Sequence, residues 1–311
     1  MILPLLLIII GAAFLIKGAD LLVDGGSGLA LKSGVSHLVV GLTVVAFGTS
    51  APELAASLVA SFKGAGDICF GNVVGSNVAN IALILGATSL IRPVSVNKQL
   101  VRWEIPFMIG ISVLTYYLGI VQKAGRFHGA VLLVLFGFYL FHCLKSPPVP
   151  IEVEEDTARK GYAILFSKVI FGCVGLGLGG MLFVSGARDI ARFLGVSEAV
   201  IGLTVVALGT SLPELITSAI ASLKGHSDIS VGNIVGSNIF NILLVIGATA
   251  SIYPYRISPD SYLYFVGLPF MMGVAVLLLP FSISGKRITR VEGGFLFVIY
   301  IVYVVLAVMM A

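Results

Sequence analysis

The string Gly48-Thr49-Ser50-Ala51-Pro52-Glu53 returns as Gly209-Thr210-Ser211-Leu212-Pro213-Glu214, with the two glutamates 161 positions apart. At the same spacing Gly71-Asn72-Val73-Val74-Gly75-Ser76-Asn77-Val78-Ala79-Asn80 returns as Gly232-Asn233-Ile234-Val235-Gly236-Ser237-Asn238-Ile239-Phe240-Asn241. A chain that states two elements twice at one offset is built from two copies of one unit. About 30 of the 48 positions from Gly41 to Thr88 are identical to Gly202 to Thr249, whereas the flanks agree mainly in apolar character. Close helix packing alone would preserve glycine and alanine. Identity that extends to Thr, Ser, Glu and Asn inside drifting flanks points to chemistry instead.

Both copies sit inside apolar runs. Of the 311 residues, 58% are hydrophobic and 11% charged, too little polar surface for a water-soluble domain of this size. Runs of about 20 apolar residues, the length that crosses the hydrocarbon core as a helix, follow one another along the chain. Their helix-like length excludes a β-barrel, and the expected fold is an all-α integral membrane protein with ten spanning helices. The net charge of +4 does not imply nucleic acid, and the surrounding partner is the lipid bilayer. Cys69, Cys143 and Cys173 are odd in number and lack metal-ligand spacing, so they read as buried small side chains. The run from Leu3 to Leu31 lacks a basic start and a small-residue cleavage site, and reads as a retained first span.

Apolar length and punctuation place spans near Leu3–Leu31, Val35–Phe62, Asp67–Ile91, Arg102–Val121 and Phe127–Cys143. The pattern restarts with Tyr162–Ala191, Ser197–Leu223, Asp228–Pro254, Ser261–Ser282 and Val291–Met310. Residues 1–144 thus form a first repeat around the motif at 41–91, and 162–311 a second around 202–252. Between them, 145–161 carries Pro147, Pro148 and Pro150 with Glu152, Glu154, Glu155 and Asp156, a flexible joint by composition. Five spans per half is odd, so the second copy enters the membrane from the opposite side and the repeats are inverted. Connections after the odd-numbered spans hold about twice the Lys and Arg of the others. By the positive-inside bias the linker is cytoplasmic and both termini are outside, as expected for a multi-pass protein of the cell membrane.

An ionisable residue at membrane depth is a functional hypothesis by default. Gly-Thr-Ser-x-Pro within a span is expected to break the helix, because proline removes a donor and clashes one turn back. Such breaks are expected in spans two, three, seven and eight, exposing carbonyls that can ligate a cation, with those of Ala46, Thr49, Ala207 and Thr210 best placed. A capping box, with Ser50 or Ser211 as cap and Glu53 or Glu214 reaching back, is the structural alternative. Burying two carboxylates merely to cap is costly where glutamine would serve. Two glutamates carry −2 and match one divalent ion, and oxygen ligands suit calcium, magnesium or manganese. Ser76 and Asn80, like Ser237 and Asn241, lie four residues apart on one helical face and add neutral oxygens. Asn72, Asn77, Asn233 and Asn238 fall on other faces and read as helix-contact residues. Asp20 and Asp24 with Lys17 in the first span read as a local ion pair.

These motifs resemble the alpha repeats of the cation/calcium antiporter superfamily, most closely the prokaryotic sodium/calcium exchangers, and the resemblance covers nearly the whole chain. It implies an antiporter exchanging Ca2+ for Na+ at a site midway across the membrane, formed by spans two, three, seven and eight. Glu53 and Glu214 would be central calcium ligands, with the Thr49 and Thr210 carbonyls and with Asn80 and Asn241. Ser50, Ser76, Ser211 and Ser237, with the Ala46 and Ala207 carbonyls, would serve flanking sodium sites. The family often has aspartate where this chain has Asn241, so one titratable carboxylate fewer is present. Spans one and six would slide against the other eight on the glycine-rich runs Gly25-Gly26 and Gly172 to Gly180. No cofactor and no obligate protein partner is implied.

Coupling to protons, or carriage of another divalent cation, uses the same fold and ligands and stays open at this point. A passive channel would leave inverted duplication unexplained. An intramembrane hydrolase would need metal-binding histidines near the carboxylates, and His37, His128, His142 and His226 all fall at span ends or in loops. The chain therefore reads as a transporter and not an enzyme.

Overall fold

The computed structural model describes residues 2–145, 161–196, 201, 205, 207–257 and 262–310. Among them are nine helices long and apolar enough to span a membrane: α1 (Ile2–Ser33), α2 (His37–Phe62), α3 (Gly66–Ile91), α4 (Leu100–Ile120), α5 (Arg126–Leu144), α6 (Tyr162–Phe193), α8 (Ser227–Ile252), α9 (Leu263–Ile283) and α10 (Arg290–Met310). The seventh span is represented by a shorter apolar helix, α7 (Leu212–Leu223), preceded by the single turn Ala207–Thr210. Large apolar side chains such as Leu3, Phe138, Phe171 and Val298 point outward and are exposed. This inversion of a soluble surface marks a multi-pass membrane protein. The proposed flexible joint lies outside the described residues apart from its two end positions, 145 and 161.

Local sequence sets the ends of these helices. Ser36 caps α2, its Oγ accepting from the Val39 N–H at 3.2 Å. Gly64 follows α2 at φ +74° and Gly225 follows α7 at φ +85°, left-handed positions that favour glycine and turn the chain within three residues into α3 and α8. Four two-residue strands tie the connections together: β1 (Val94–Ser95), β2 (Lys123–Ala124), β3 (Tyr255–Arg256) and β4 (Arg287–Ile288). β1 pairs antiparallel with β4, and β2 with β3, so each tie joins the first half to the second.

The expected helix breaks take a different form. α2 continues through Thr49, Ser50 and Pro52, with a wider π turn upstream at Gly41–Val45. α3 and α8 are likewise unbroken, with π turns at Ala79–Leu85 and Asn241–Ile246. A π turn redirects N–H groups by one residue without leaving a run of them unpaired, which a helix in hydrocarbon cannot afford. Among the described residues only the seventh span is interrupted at its motif, where Ser211 forms a turn and its N–H donates to the Leu208 carbonyl at 3.2 Å.

α1 and α6 lie against each other along their glycines. A Cβ at Gly18 would stand 2.7 Å from the Leu176 nitrogen and 2.9 Å from the Gly172 oxygen, and one at Gly11 2.6 Å from the Phe183 nitrogen. The two backbones are therefore in contact, as small residues allow. Their buried side chains Leu15, Leu22, Val23 and Leu176 pack with Val40, Val45, Ala221 and Ile229 in a small cluster distinct from the main core of α2–α5 and α8–α10. Asp20 and Asp24 of α1 do not pair locally with Lys17. Lys224, just after α7, reaches both, at 2.5 and 2.6 Å, and Lys168 of α6 lies 3.3 Å from Asp24. Chain crossing at the helix ends brings these cations nearer than the one on the same helix.

Candidate cation site

Glu53 on α2 and Glu214 on α7 are each 1% exposed. Neither oxygen of Glu53 has a hydrogen-bond partner among the described residues, nor does Oε2 of Glu214. Oε1 of Glu214 accepts from Ser50 Oγ at 3.1 Å. Neither glutamate reaches back to its own helix start in the way a capping box requires. Ser50 reaches across to the other half, and Ser211 makes no side-chain cap.

Thr49 sits at the contact of α2 with α8. Its Oγ1 donates to Asn233 Oδ1 at 3.0 Å, approaches Ser237 Oγ at 3.3 Å, and lies 3.3 Å from the Ala46 carbonyl. Asn233 donates in turn to Ser218 Oγ at 2.9 Å and to the Glu214 carbonyl at 3.5 Å. Asn233 therefore joins the site besides making a helix contact. Its repeat mate Asn72 donates to Ser57 Oγ at 3.0 Å. The sequence signal for Asn233 was its identity in both copies; that a side chain from a neighbouring face would reach Thr49 depends on how closely α8 approaches α2.

Four asparagines cross between α3 and α8. Asn80 Nδ2 donates to Asn238 Oδ1 at 2.9 Å, and Asn241 Nδ2 donates to Asn77 Oδ1 at 3.2 Å. Asn77 Nδ2 also donates to the Asn238 carbonyl at 3.4 Å. These bonds occupy the amide nitrogens of Asn80 and Asn241 and leave both Oδ1 atoms buried without partners. An amide tied by its donor end presents an oxygen to a cation.

Ser211 Oγ is buried and unpartnered among the described residues. Ser76 is buried on α3 and Ser237 on α8. Thr210 is half-buried in the turn before Ser211, and Ala207 opens that turn. Unpaired buried polar atoms are costly, and among the described residues Glu53 carries two and Glu214, Asn80, Asn241 and Ser211 one each. They are all oxygens, two of the side chains are anionic, and among the described residues no cluster of three or more His, Cys, Asp or Glu accompanies them. This donor set fits a hard cation.

The sequence model for the sodium/calcium exchanger protein family matches residues 3–145 and 164–309. The chain belongs to the sodium/calcium exchanger family. This exchanger is 33% identical to the sodium/calcium exchanger MaX1 of Methanosarcina acetivorans, over 96% of this chain and 97% of that one. It is 35% identical to the inner membrane protein YrbG of Escherichia coli, over 84% of each. A solved structure of the sodium-calcium exchanger NCX_Mj, soaked without Na+ and Ca2+, matches it with a TM-score of 0.86 at 32% identity, covering 98% of both chains.

Proposed function

We propose that this exchanger moves Ca2+ and Na+ in opposite directions across the cell membrane, alternating access to one site formed by Glu53, Glu214 and their surrounding oxygens. The observation that carries the reading is the set of buried oxygens, without hydrogen-bond partners among the described residues, that Glu53, Glu214, Asn80, Asn241 and Ser211 contribute from both halves. Glu53 and Glu214 hold Ca2+ with the Thr49 and Thr210 carbonyls and the Asn80 and Asn241 side-chain oxygens. Ser50, Ser76, Ser211 and Ser237, with the Ala46 and Ala207 carbonyls, serve Na+. The two ions compete for the same carboxylates, so one set leaves before the other binds, which is the requirement for exchange. The cations are cargo, and no cofactor or obligate protein partner is part of the proposal.

The halves are inverted repeats in this reading, with both termini outside and 145–161 cytoplasmic. Three features support it. The bonds Asn80 to Asn238 and Asn241 to Asn77 are the same bond made once in each direction. The pairing of β1 with β4 maps onto that of β3 with β2 when the halves are exchanged. α1 and α6 form a glycine-packed pair of their own, suited to moving together against the remaining eight.

The test is 45Ca2+ uptake into proteoliposomes loaded with Na+, K+ or choline at matched pH. Uptake that requires internal Na+ and is lost in Glu53→Gln and in Glu214→Gln supports the proposal. Uptake indifferent to Na+ but driven by a pH difference would keep the site and replace the coupling ion.

A further inference from the structure

Tyr139 on α5 is fully buried, and its hydroxyl donates to the Leu42 carbonyl of α2 at 3.3 Å. Leu42 lies in the π turn, where the Ala46 N–H donates to the Gly41 and Thr43 carbonyls and passes over that of Leu42. The tyrosine ring is held by α4, nearly parallel to Phe107 at 5.7 Å and 4° and to Trp103 at 6.4 Å and 16°. The second half repeats part of this cage, with Val266 at the position 163 beyond Trp103 and with the Tyr303 and Phe270 rings tilted at 46°. Tyr303 on α10, 164 positions beyond Tyr139, packs on Phe270, 163 beyond Phe107, with ring centroids 5.5 Å apart. Its hydroxyl, however, meets Tyr262 Oη at 2.5 Å. Equivalent rings thus carry hydroxyls with different partners.

The segment gripped by Tyr139 covers the site from one side. A Cβ on Gly232 of α8 would lie 2.9 Å from the Leu38 oxygen, and one on Gly236 would lie 2.8 Å from the Leu42 oxygen. The start of α2 therefore rests on α8 beside Asn233 and Ser237. Among the described residues, a Cβ on Gly75, the mate of Gly236, would meet only Tyr303 Oη, at 3.6 Å.

We propose that Tyr139 is a positioning residue, a hydroxyl latch that keeps the first turns of α2 closed over the ion site on the face carrying the α1–α2 turn. This rests on the alternating-access reading above. In the conformation described here the Tyr139 latch is made. Opening toward the α1–α2 face breaks the bond to Leu42.

The test uses Tyr139→Phe, which deletes only the hydroxyl, and Tyr300→Phe as a neighbouring control, both in the full chain in proteoliposomes. Loss of one hydrogen bond inside a membrane protein shifts a two-state balance about threefold. Tyr139→Phe should therefore speed amide exchange of residues 38–46 about threefold and lower the Ca2+ half-saturation concentration at the α1–α2 face relative to the opposite one. Tyr300→Phe should do neither. Wild-type amide exchange and wild-type sidedness in Tyr139→Phe would overturn the latch. A wild-type protein without Na+-dependent Ca2+ flux would instead overturn the exchange reading, while accelerated exchange at 38–46 would still report the local bond.

Discussion

Replacing Glu53 by glutamine should move two properties in opposite directions. Its carboxylate is 1% exposed, and among the described residues neither oxygen has a hydrogen-bond partner. A buried polar group in this state costs about 1–3 kcal/mol, and a neutral amide removes one of two buried charges. The ion-free protein should therefore gain about 1 kcal/mol of stability. In Ca2+ the variant should lose. Removing one partner of a buried charge pair costs about 2–5 kcal/mol, which is roughly a 30- to 5,000-fold weaker affinity. Ligand at roughly 100 Kd stabilises the wild type by about 2.7 kcal/mol, an increment the variant should lack at the same concentration. Thermal unfolding in detergent, with chelator and with Ca2+, reads both effects. The reasoning fails if Glu53→Gln unfolds earlier than wild type in chelator, or if Ca2+ still raises its unfolding temperature by the wild-type amount. Glu214→Gln should gain less in chelator, because Oε1 already accepts from Ser50 and the amide oxygen can do the same.

Asn241→Asp restores a third carboxylate but loses the donor that binds Asn77 Oδ1. It should tighten Ca2+ in isothermal titration and cost about 1–3 kcal/mol of ion-free stability, since two acceptors then face each other. Gly236→Ala places a Cβ 2.8 Å from Ala46 Cβ and from the Leu42 oxygen; it should destabilise by about 1–3 kcal/mol and slow exchange, measured by unfolding and by initial rates. Gly18→Ala should force α1 and α6 apart and slow exchange, because its Cβ would meet the Leu176 nitrogen at 2.7 Å; initial rates read it. Lys224→Met should change exchange rate at low salt and much less at high salt, because its bonds to Asp20 and Asp24 are part-exposed and screened. Burial opposes the charge of Lys224, but its two aspartates outweigh that and hold its pKa above the ordinary 10.5. Its contribution is complete below that value and fades only as pH rises through the raised pKa, so the rate effect of Lys224→Met should be constant between pH 6 and 9.

The architecture was legible because membrane helices announce themselves by length, and because the motif is written twice. The pairing of Asp20 and Asp24 was not: spacing along α1 favours Lys17, and only helix packing brings Lys168 and Lys224 to them. The helix breaks were overestimated for a related reason. A proline states which donor is lost, but not whether a wider turn a few residues upstream will reroute the chain. Within the site, residue type identified the oxygens. That the Asn80 and Asn241 nitrogens are tied off by Asn238 and Asn77 depends on the crossing of α3 with α8, which neither helix encodes alone.

That crossing has a symmetry. A bond from position 80 of one unit to position 77 of another, repeated in reverse, is what a two-fold axis generates between identical chains. On the inverted-repeat reading proposed above, two copies of one unit, upside down to each other, pair through the same asparagines. The symmetry is not complete, because Glu214 accepts from Ser50 whereas Glu53 has no hydrogen-bond partner among the described residues.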